Sequence, residues 1–246
     1  MKDSSVRWMA ECAAKPFHES LPQLLANGFD PQDSPLSLRE VKALFYDDTF
    51  RRSVSPLRKS YRRVSVVRDQ KLVDHSEYES LAGARCVRRQ DVTIKLHAAH
   101  LYADRVRQVG QRLANATRLP LHATVYLSST GRQGVPLHSD ADSVFALQVT
   151  GQKTWLFYRP RATSPQDTDN VGWILEDGQT EQMAPRCDAV CEITVTPGDI
   201  LYVPRGWGHY ALAEDGESLH VSLGVLHPEV DQTKVALQEP LMPNVA

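Results

Sequence analysis

The sequence predicts a mainly β protein with helices ahead of its sheets. Three observations carry this. After Leu119-Pro120 the chain breaks into short β-rich runs punctuated by Gly and Pro, the texture of an all-β sandwich or barrel. Before that point, apolar spacing of 3.6 and helix-capping residues dominate. The chain has 246 residues, 41% of them hydrophobic and 24% charged, which suits one large core, because all-β folds often reach this size as a single unit.

The helical pattern runs from Trp8 to about Arg118, beginning with Leu21, Leu24 and Leu25. Ser37 to Phe45 is the best-defined helix, since Ser37 can cap it and Glu40 can close a capping box. A strand-like Val64–Arg68 interrupts the pattern. A further helix is predicted over His100–Thr117, with Leu101, Val106, Val109 and Leu113 on one side. We therefore divide the chain into an N-terminal region, 1–118, packing on a β core, 119–228, followed by a short tail, 229–246.

Within the core, strands are expected over His122–Leu127, Val144–Val149, Lys153–Tyr158, Cys191–Val195, Ile200–Val203 and Leu219–Leu226. Thr150-Gly151 reads as the turn of a hairpin. A two-residue loop there would place Lys153 opposite Gln148, sharing a face with Val144, Ala146 and Trp155. The polar stretch 161–186 reads as a long insertion loop, a lid or substrate platform.

Composition narrows the function classes. No stretch approaches the roughly 20 apolar residues of a membrane span, and the N-terminus lacks the apolar core of a secretion signal; a cytoplasmic protein without membrane association is expected. Cys12, Cys86, Cys187 and Cys191 contain no C-x-x-C pair; Cys187 and Cys191 read as small residues beside a strand rather than a metal pair. The net charge of −2 conceals an asymmetry: Arg51–Arg68 carries seven Lys or Arg and no acid, while Asp167–Glu192 carries seven acids against Arg186 alone. Such runs are usually solvated faces, and a nucleic-acid binder would be more basic overall. The acidic run would suit a basic or histidine-containing peptide.

The chemistry concentrates in three elements. In Val135-Pro136-Leu137-His138-Ser139-Asp140, an imidazole and a carboxylate two residues apart on an extended segment face the same side and can reach one ion. Thr196-Pro197-Gly198-Asp199 then leads through a short apolar strand and a Gly-rich bend to His209, which supplies a third ligand. Two His and one carboxylate on one face of a metal leave positions open, the arrangement of non-haem Fe(II) oxygenases; a closed zinc site would need a fourth ligand. Lys153, flanked by apolar strand residues, calls for an anionic partner such as a dicarboxylate.

Together, His138-x-Asp140, Lys153 thirteen residues after the aspartate, and the Pro-Gly-Asp strand ending at His209 resemble the JmjC-type 2-oxoglutarate oxygenases. Val125-Tyr126-Leu127, Gln133-Gly134, Phe145-x-Leu147-Gln148-Val149-x-Gly151-x-Lys153-x-Trp155 and Gly198-Asp199-x-Leu201-Tyr202-x-Pro204-Arg205-Gly206 resemble the ribosomal oxygenase, or cupin-4, branch. The likeness is dense from Leu121 to Val225 and looser before.

This resemblance implies a double-stranded β-helix, the jelly-roll of JmjC and cupin proteins. It implies Fe(II) on His138, Asp140 and His209, with 2-oxoglutarate and O₂ as cosubstrates. Lys153 would pair with the distal carboxylate of 2-oxoglutarate, helped by Thr124, Ser222 and Tyr126; Thr124 stands where the branch has asparagine. Trp155, Tyr202 and Arg205 are candidate pocket residues. His97, His100, His122, His220 and His227 read as polar partners in the fold, with His220 the reserve candidate because it lies near Ser222.

The implied reaction is hydroxylation of a side chain, at its β-carbon, in a peptide or protein. A ribosomal protein and a ribosomally synthesised natural-product precursor peptide are both candidate substrates. An N-methyl demethylase and a non-catalytic metal-binding cupin are the alternatives. The branch carries further dimerisation and winged-helix-like modules, so the assembly is not carried over and a homodimer is left open.

Overall fold

A computed structural model of the chain describes residues 1–54, 63–69, 71–73, 92–129, 135–160, 189–214, 216–229 and 239–244. Its strands are β1 (Gln23–Leu25), β2 (Val64–Arg68), β3 (Lys71–Leu72), β4 (Val92–Leu96), β5 (Leu121–Ser128), β6 (Ser143–Thr150), β7 (Lys153–Tyr158), β8 (Cys191–Val195), β9 (Ile200–Val203), β10 (Gly208–Ala213) and β11 (Ser218–Val225). They form an eight-stranded antiparallel sheet, ordered β1-β9-β6-β11-β5-β4-β2-β3, and a three-stranded sheet, β10-β7-β8. The helices are α1 (Asp3–Ala13), α2 (Leu38–Tyr46), α3 (Asp48–Arg52) and α4 (Asp104–Thr117).

Period-two alternation sorts the central strands between two layers. From β5, β6 and β11, Ala123, Val125, Leu127, Phe145, Leu147, Leu219, Val221 and Leu223 pack into one core with Met9 of α1, Val41 and Phe45 of α2, and Val106 and Leu113 of α4. The opposite face meets the small sheet, where Val144, Ala146, Trp155, Phe157, Leu201, Val203 and Trp207 form a second core. Helices thus seal one face of the large sheet, and the cleft between the sheets is left for a site.

The predicted capping box is present: Ser37 Oγ accepts the Glu40 amide at 3.3 Å while Glu40 reaches back to the Ser37 amide at 2.7 Å. The last predicted helix starts later than expected, because Ala99–Leu101 is a 3-10 turn that leaves Leu101 exposed. Arg118, in the left-handed region at φ 60°, ends it.

Two expectations are corrected. Leu21, Leu24 and Leu25 do not begin a helix: Gln23–Leu25 is an edge strand paired with β9, and Leu21 and Leu24 are exposed. Three residues supplying backbone bonds to an open edge need no apolar helical face. Nor does Thr150-Gly151 close a hairpin. β6 spends both edges on β9 and β11, and β7 pairs with β10 and β8 in the other sheet. The bend is a crossing between layers, turned by Gly151 at φ 68° and tied by Gln148 Nε2, which donates to the Thr150 and Gly151 carbonyls and to Ser218 Oγ.

The insertion loop 161–186, Cys86 and Cys187, Gln133-Gly134, residues 55–62 of the basic run and most of the acidic run lie outside the described residues. Among the described residues no helix is long and apolar enough to cross a membrane.

Candidate metal centre

The cleft holds a cavity of about 90 Å³ whose floor is the alternate face of β5 and β11. His122, Thr124, Tyr126 and Ser128 line it from β5, and His220, Ser222 and Gly224 from β11. Lys153 and Trp155 of β7, His209 of β10, and His138, Asp140 and Asp142 ahead of β6 complete it.

His138, Asp140 and His209 form the one group of potential metal ligands among the described residues, their ligand atoms all within 4.8 Å of one another. His138 Nε2 is 3.8 Å and His209 Nε2 3.6 Å from the two Asp140 oxygens. Donor atoms on one ion at bonds of about 2.1 Å lie up to about 4.2 Å apart, so both contacts to Asp140 already fall within reach of a shared ion. Both imidazoles have their tautomer set by the main chain: His138 Nδ1 donates to the Pro136 carbonyl at 2.8 Å, His209 Nδ1 to the Trp207 carbonyl at 3.0 Å. Each Nε2 lone pair is thereby left for a metal. The Gly206 amide donates to the Asp140 carbonyl at 2.8 Å, which anchors the carboxylate-bearing residue to the Gly-rich bend.

The electrostatics agree with a cation site. Burial pushes the His209 imidazole down to about 4, helped by the neighbouring His138 and opposed by Asp140, so it stands ready as a neutral ligand. Burial would raise the Asp140 carboxyl, but its electrostatic coupling to the adjacent His138 and then His209 outweighs this and holds the group below the usual carboxylate range. The donor set fits the two-His, one-carboxylate face of a non-haem iron centre, with no fourth ligand among the described residues.

Lys153 is 3% exposed. Its ammonium donates to Ser128 Oγ at 3.0 Å and to His220 Nδ1 at 3.1 Å, and among the described residues it has no carboxylate partner. Burial pushes it down to about 7. Burial, then the Lys153 charge, pushes His220 well below the ordinary imidazole range, which keeps it an acceptor. Tyr126 stacks on His220, centroids 4.8 Å apart and rings within 6° of parallel. The result is a buried cation with neutral partners, a place for an anion.

Thr124, Tyr126, Ser222, Lys153 and Trp155 thus join the triad in one cavity. Two expected pocket residues do not. Tyr202 faces the helix-side core, 1% exposed and stacked on Phe145 at 5.1 Å, because alternation on β9 turns Leu201 and Val203, not Tyr202, to the cleft. Arg205 is turned to an ion pair with Glu229 at 3.1 Å and lies over the Phe17 ring. Sequence reasoning missed the pocket positions of His122, Ser128, Asp142 and Gly224, and placed His220 only in reserve. The signal was available: on β5 and β11 they share the period-two face of Thr124, Tyr126 and Ser222, and Asp142 lies two beyond Asp140. Cys191 lies on β8 as a free cysteine outside the ligand group.

Residues 96–233 match the family described as the JmjC domain. The chain is 35% identical over 145 residues to the bifunctional lysine-specific demethylase and histidyl-hydroxylase NO66 of Drosophila persimilis, covering 58% of this chain and 19% of that protein. It is 30% identical over 138 residues to ribosomal oxygenase 2 of Bos taurus, covering 53% and 27%. It therefore spans less than a third of either relative's length. Among solved structures, Escherichia coli ribosomal oxygenase YcfD matches with a TM-score of 0.57 at 18% identity, over 89% of this chain and 53% of that one. The same protein in complex with cobalt and 2-oxoglutarate matches at 0.56 and 18%, over 89% and 52%; at that identity the likeness establishes the fold. The match to the family covers more than half of the chain, and this protein belongs to the JmjC domain family.

Proposed function

We propose that this chain is an Fe(II)- and 2-oxoglutarate-dependent oxygenase that hydroxylates a side chain in a peptide or protein. One observation carries the reading: an open three-ligand face and a buried ammonium that has no carboxylate partner among the described residues share a single cavity. Neither a structural zinc site nor a plain sugar or lipid pocket calls for both. The crystallised relative in complex with cobalt and 2-oxoglutarate supports the same pairing.

His138, Asp140 and His209 would hold iron, which with 2-oxoglutarate supplies the oxygen-activating chemistry that inserts a hydroxyl into a C–H bond. The rest is the protein's work. Lys153 offers a charge to the distal carboxylate of the cosubstrate, and Ser128 and His220 fix where that charge sits. Thr124, Tyr126 and Ser222 line the path between ammonium and triad. Asp140, held ionised, contributes the one negative protein ligand. Trp155, packed 5.8 Å from His209 and 5.4 Å from His220, and Val144 wall the cavity with apolar surface and limit water at the reacting centre.

Relatives named as histidyl-hydroxylase and ribosomal oxygenase support a protein or peptide substrate, and the β-carbon is the position we propose for its modification. A ribosomal protein and a ribosomally synthesised precursor peptide are the two candidates, in a cytoplasmic setting. The decisive experiment incubates the iron-loaded chain with 2-oxoglutarate and candidate peptides and follows succinate together with intact peptide mass. Gain of one oxygen atom, abolished by His138→Ala, is the expected outcome; no 2-oxoglutarate consumption with any peptide would return the chain to a binding role. The relative's name also prints lysine-specific demethylase. That reading predicts formaldehyde release from N-methylated peptides, and its measurement separates the two.

A further inference from the structure

The cavity has a second polar group that neither the triad nor the Lys153 end uses. His122 on β5 donates from Nε2 to Asp142 Oδ2 at 2.8 Å. The two residues come from opposite flanks of β11, which runs between β5 and β6, so the backbones concerned are about 10 Å apart. The imidazole spans that gap by lying over Gly224, the β11 residue in register with His122 on one side and Val144 on the other. A Cβ at Gly224 would stand 2.3 Å from His122 Nε2 and 2.9 Å from Cδ2 and Cε1. Glycine inside a strand weakens it, and here the close approach of the ring requires it.

The position of the pair along the floor separates it from the cosubstrate end. The cavity-facing row of β5 runs Ser128, Tyr126, Thr124, His122, with Ser128 and the Tyr126–His220 stack beside the Lys153 ammonium. His122 lies four residues beyond Tyr126, roughly 13 Å at strand spacing. A five-carbon diacid, about 6 Å long at bonds of about 1.5 Å, anchored at Lys153 does not reach it. Asp142, 8% exposed, is a carboxylate facing the remaining space.

We propose that the His122–Asp142 pair is the recognition site for the substrate side chain and selects one that carries N–H donors: a guanidinium, imidazole or ammonium. This rests on the oxygenase reading for there being a substrate in the cavity. An ionised carboxylate has acceptor sites beyond the one His122 occupies, and partial burial strengthens charge-assisted bonds to them. His122 is the positioning residue that sets the direction of the free oxygen. An apolar side chain would leave that oxygen without a donor, and an acidic one would be repelled, which is how a buried polar group discriminates most strongly.

The test uses the whole chain loaded with Mn(II) and 2-oxoglutarate, without turnover. Fluorescein-labelled undecapeptide pools, fixed at the central residue as Arg, His, Lys, Glu or Leu with randomised flanks, are titrated by anisotropy. The wild type is expected to bind at least one of the Arg, His and Lys pools about tenfold or more tighter than the Leu and Glu pools. Asp142→Asn keeps the shape and an acceptor for His122 but removes the charge, so a mere tie between strands would leave the preference as in the wild type. Recognition predicts that the preference falls by about tenfold, with a similar loss in His122→Gln, while 2-oxoglutarate affinity, titrated on the same preparations, stays within about twofold. Equal binding of all pools, binding of none, or a preference intact in Asp142→Asn overturns the inference. Failure of the wild type to bind 2-oxoglutarate sinks the oxygenase reading instead, and the peptide titrations still report on the pair.

Discussion

His138 and His209 are joined through their backbones before they are joined through any ion: each amide donates to the other's carbonyl, at 3.2 and 2.8 Å, in an isolated antiparallel bridge. Their ring centroids lie 4.4 Å apart. The segment ahead of β6 and strand β10 are thus registered to each other by main-chain bonds, and the proposed metal face is preorganised by the fold. Asp140, the third proposed ligand, is secured by a neighbouring bond from Gly206.

A preorganised face predicts that removing a ligand harms metal binding more than folding. Asp140→Ala is expected to lower Fe(II) or Mn(II) affinity by at least about 100-fold, beyond the loss typical of outer-shell partners. Calorimetric unfolding should find the metal-free variant close to the wild type, with added metal raising the midpoint of the wild type alone. Equal metal stabilisation of both proteins would contradict the assignment.

Lys153 carries a pH signature. Its folded value is pushed down to about 7 by burial, from an ordinary value of 10.5. The unfolded chain therefore binds more protons between those limits, and this group's contribution makes stability rise with pH from about 7 to about 10. Lys153→Met removes the buried ammonium at similar volume, so its metal-free form should lose that slope and unfold no more easily than the wild type. Its 2-oxoglutarate affinity should fall by roughly 100-fold, the cost of losing a charge-assisted anchor. Denaturant titrations across pH and calorimetric ligand titration measure both.

The buried imidazoles act on the acid side with the same sign. Burial pushes His209 and His227 down to about 4 from 6.5, and burial with the Lys153 charge holds His220 well below its ordinary value. Each is neutral in the folded protein where the unfolded chain would protonate it, so their contribution is complete above about 6.5 and is lost as pH falls toward 4. The metal-free protein should lose stability steeply in that window, and bound metal, which needs the same lone pairs, should shift the loss to lower pH. A flat denaturation profile between pH 6.5 and 4 would refute this.

Gly151 is predicted to be intolerant. Its φ of 68° disfavours any side chain, and a Cβ would sit 2.3 Å from the Glu217 carbonyl oxygen. Gly151→Ala should cost at least about 2 kcal/mol, combining left-handed strain with a backbone clash. Thermal unfolding would register it; an unchanged midpoint would mean that the crossing between sheets can be made another way.

The convergence of His138, Asp140, His209 and Lys153 on one cavity was legible because strand geometry makes short spacings meaningful: His138 and Asp140, two apart on an extended segment, must face one side, and the Gly-rich bend before His209 marks a return to it. Resemblance to known oxygenases joined these elements across the chain. The β-rich core and the Ser37–Glu40 cap were readable for the same local reason. Other features depend on which strands become neighbours. Gly151 ends β6 in hairpin-like sequence, yet β6 has both edges occupied, so the chain crosses to the other sheet. Tyr202 resembles a cavity aromatic until the pairing of β9 with β1 and β6 turns it toward the helices. His122 and Asp142 meet only because β11 lies between β5 and β6, which Asp142 precedes, with a glycine at the crossing. Local sequence specifies the face on which a side chain stands; partner strands, chosen by the packing of the whole chain, decide what that face looks upon.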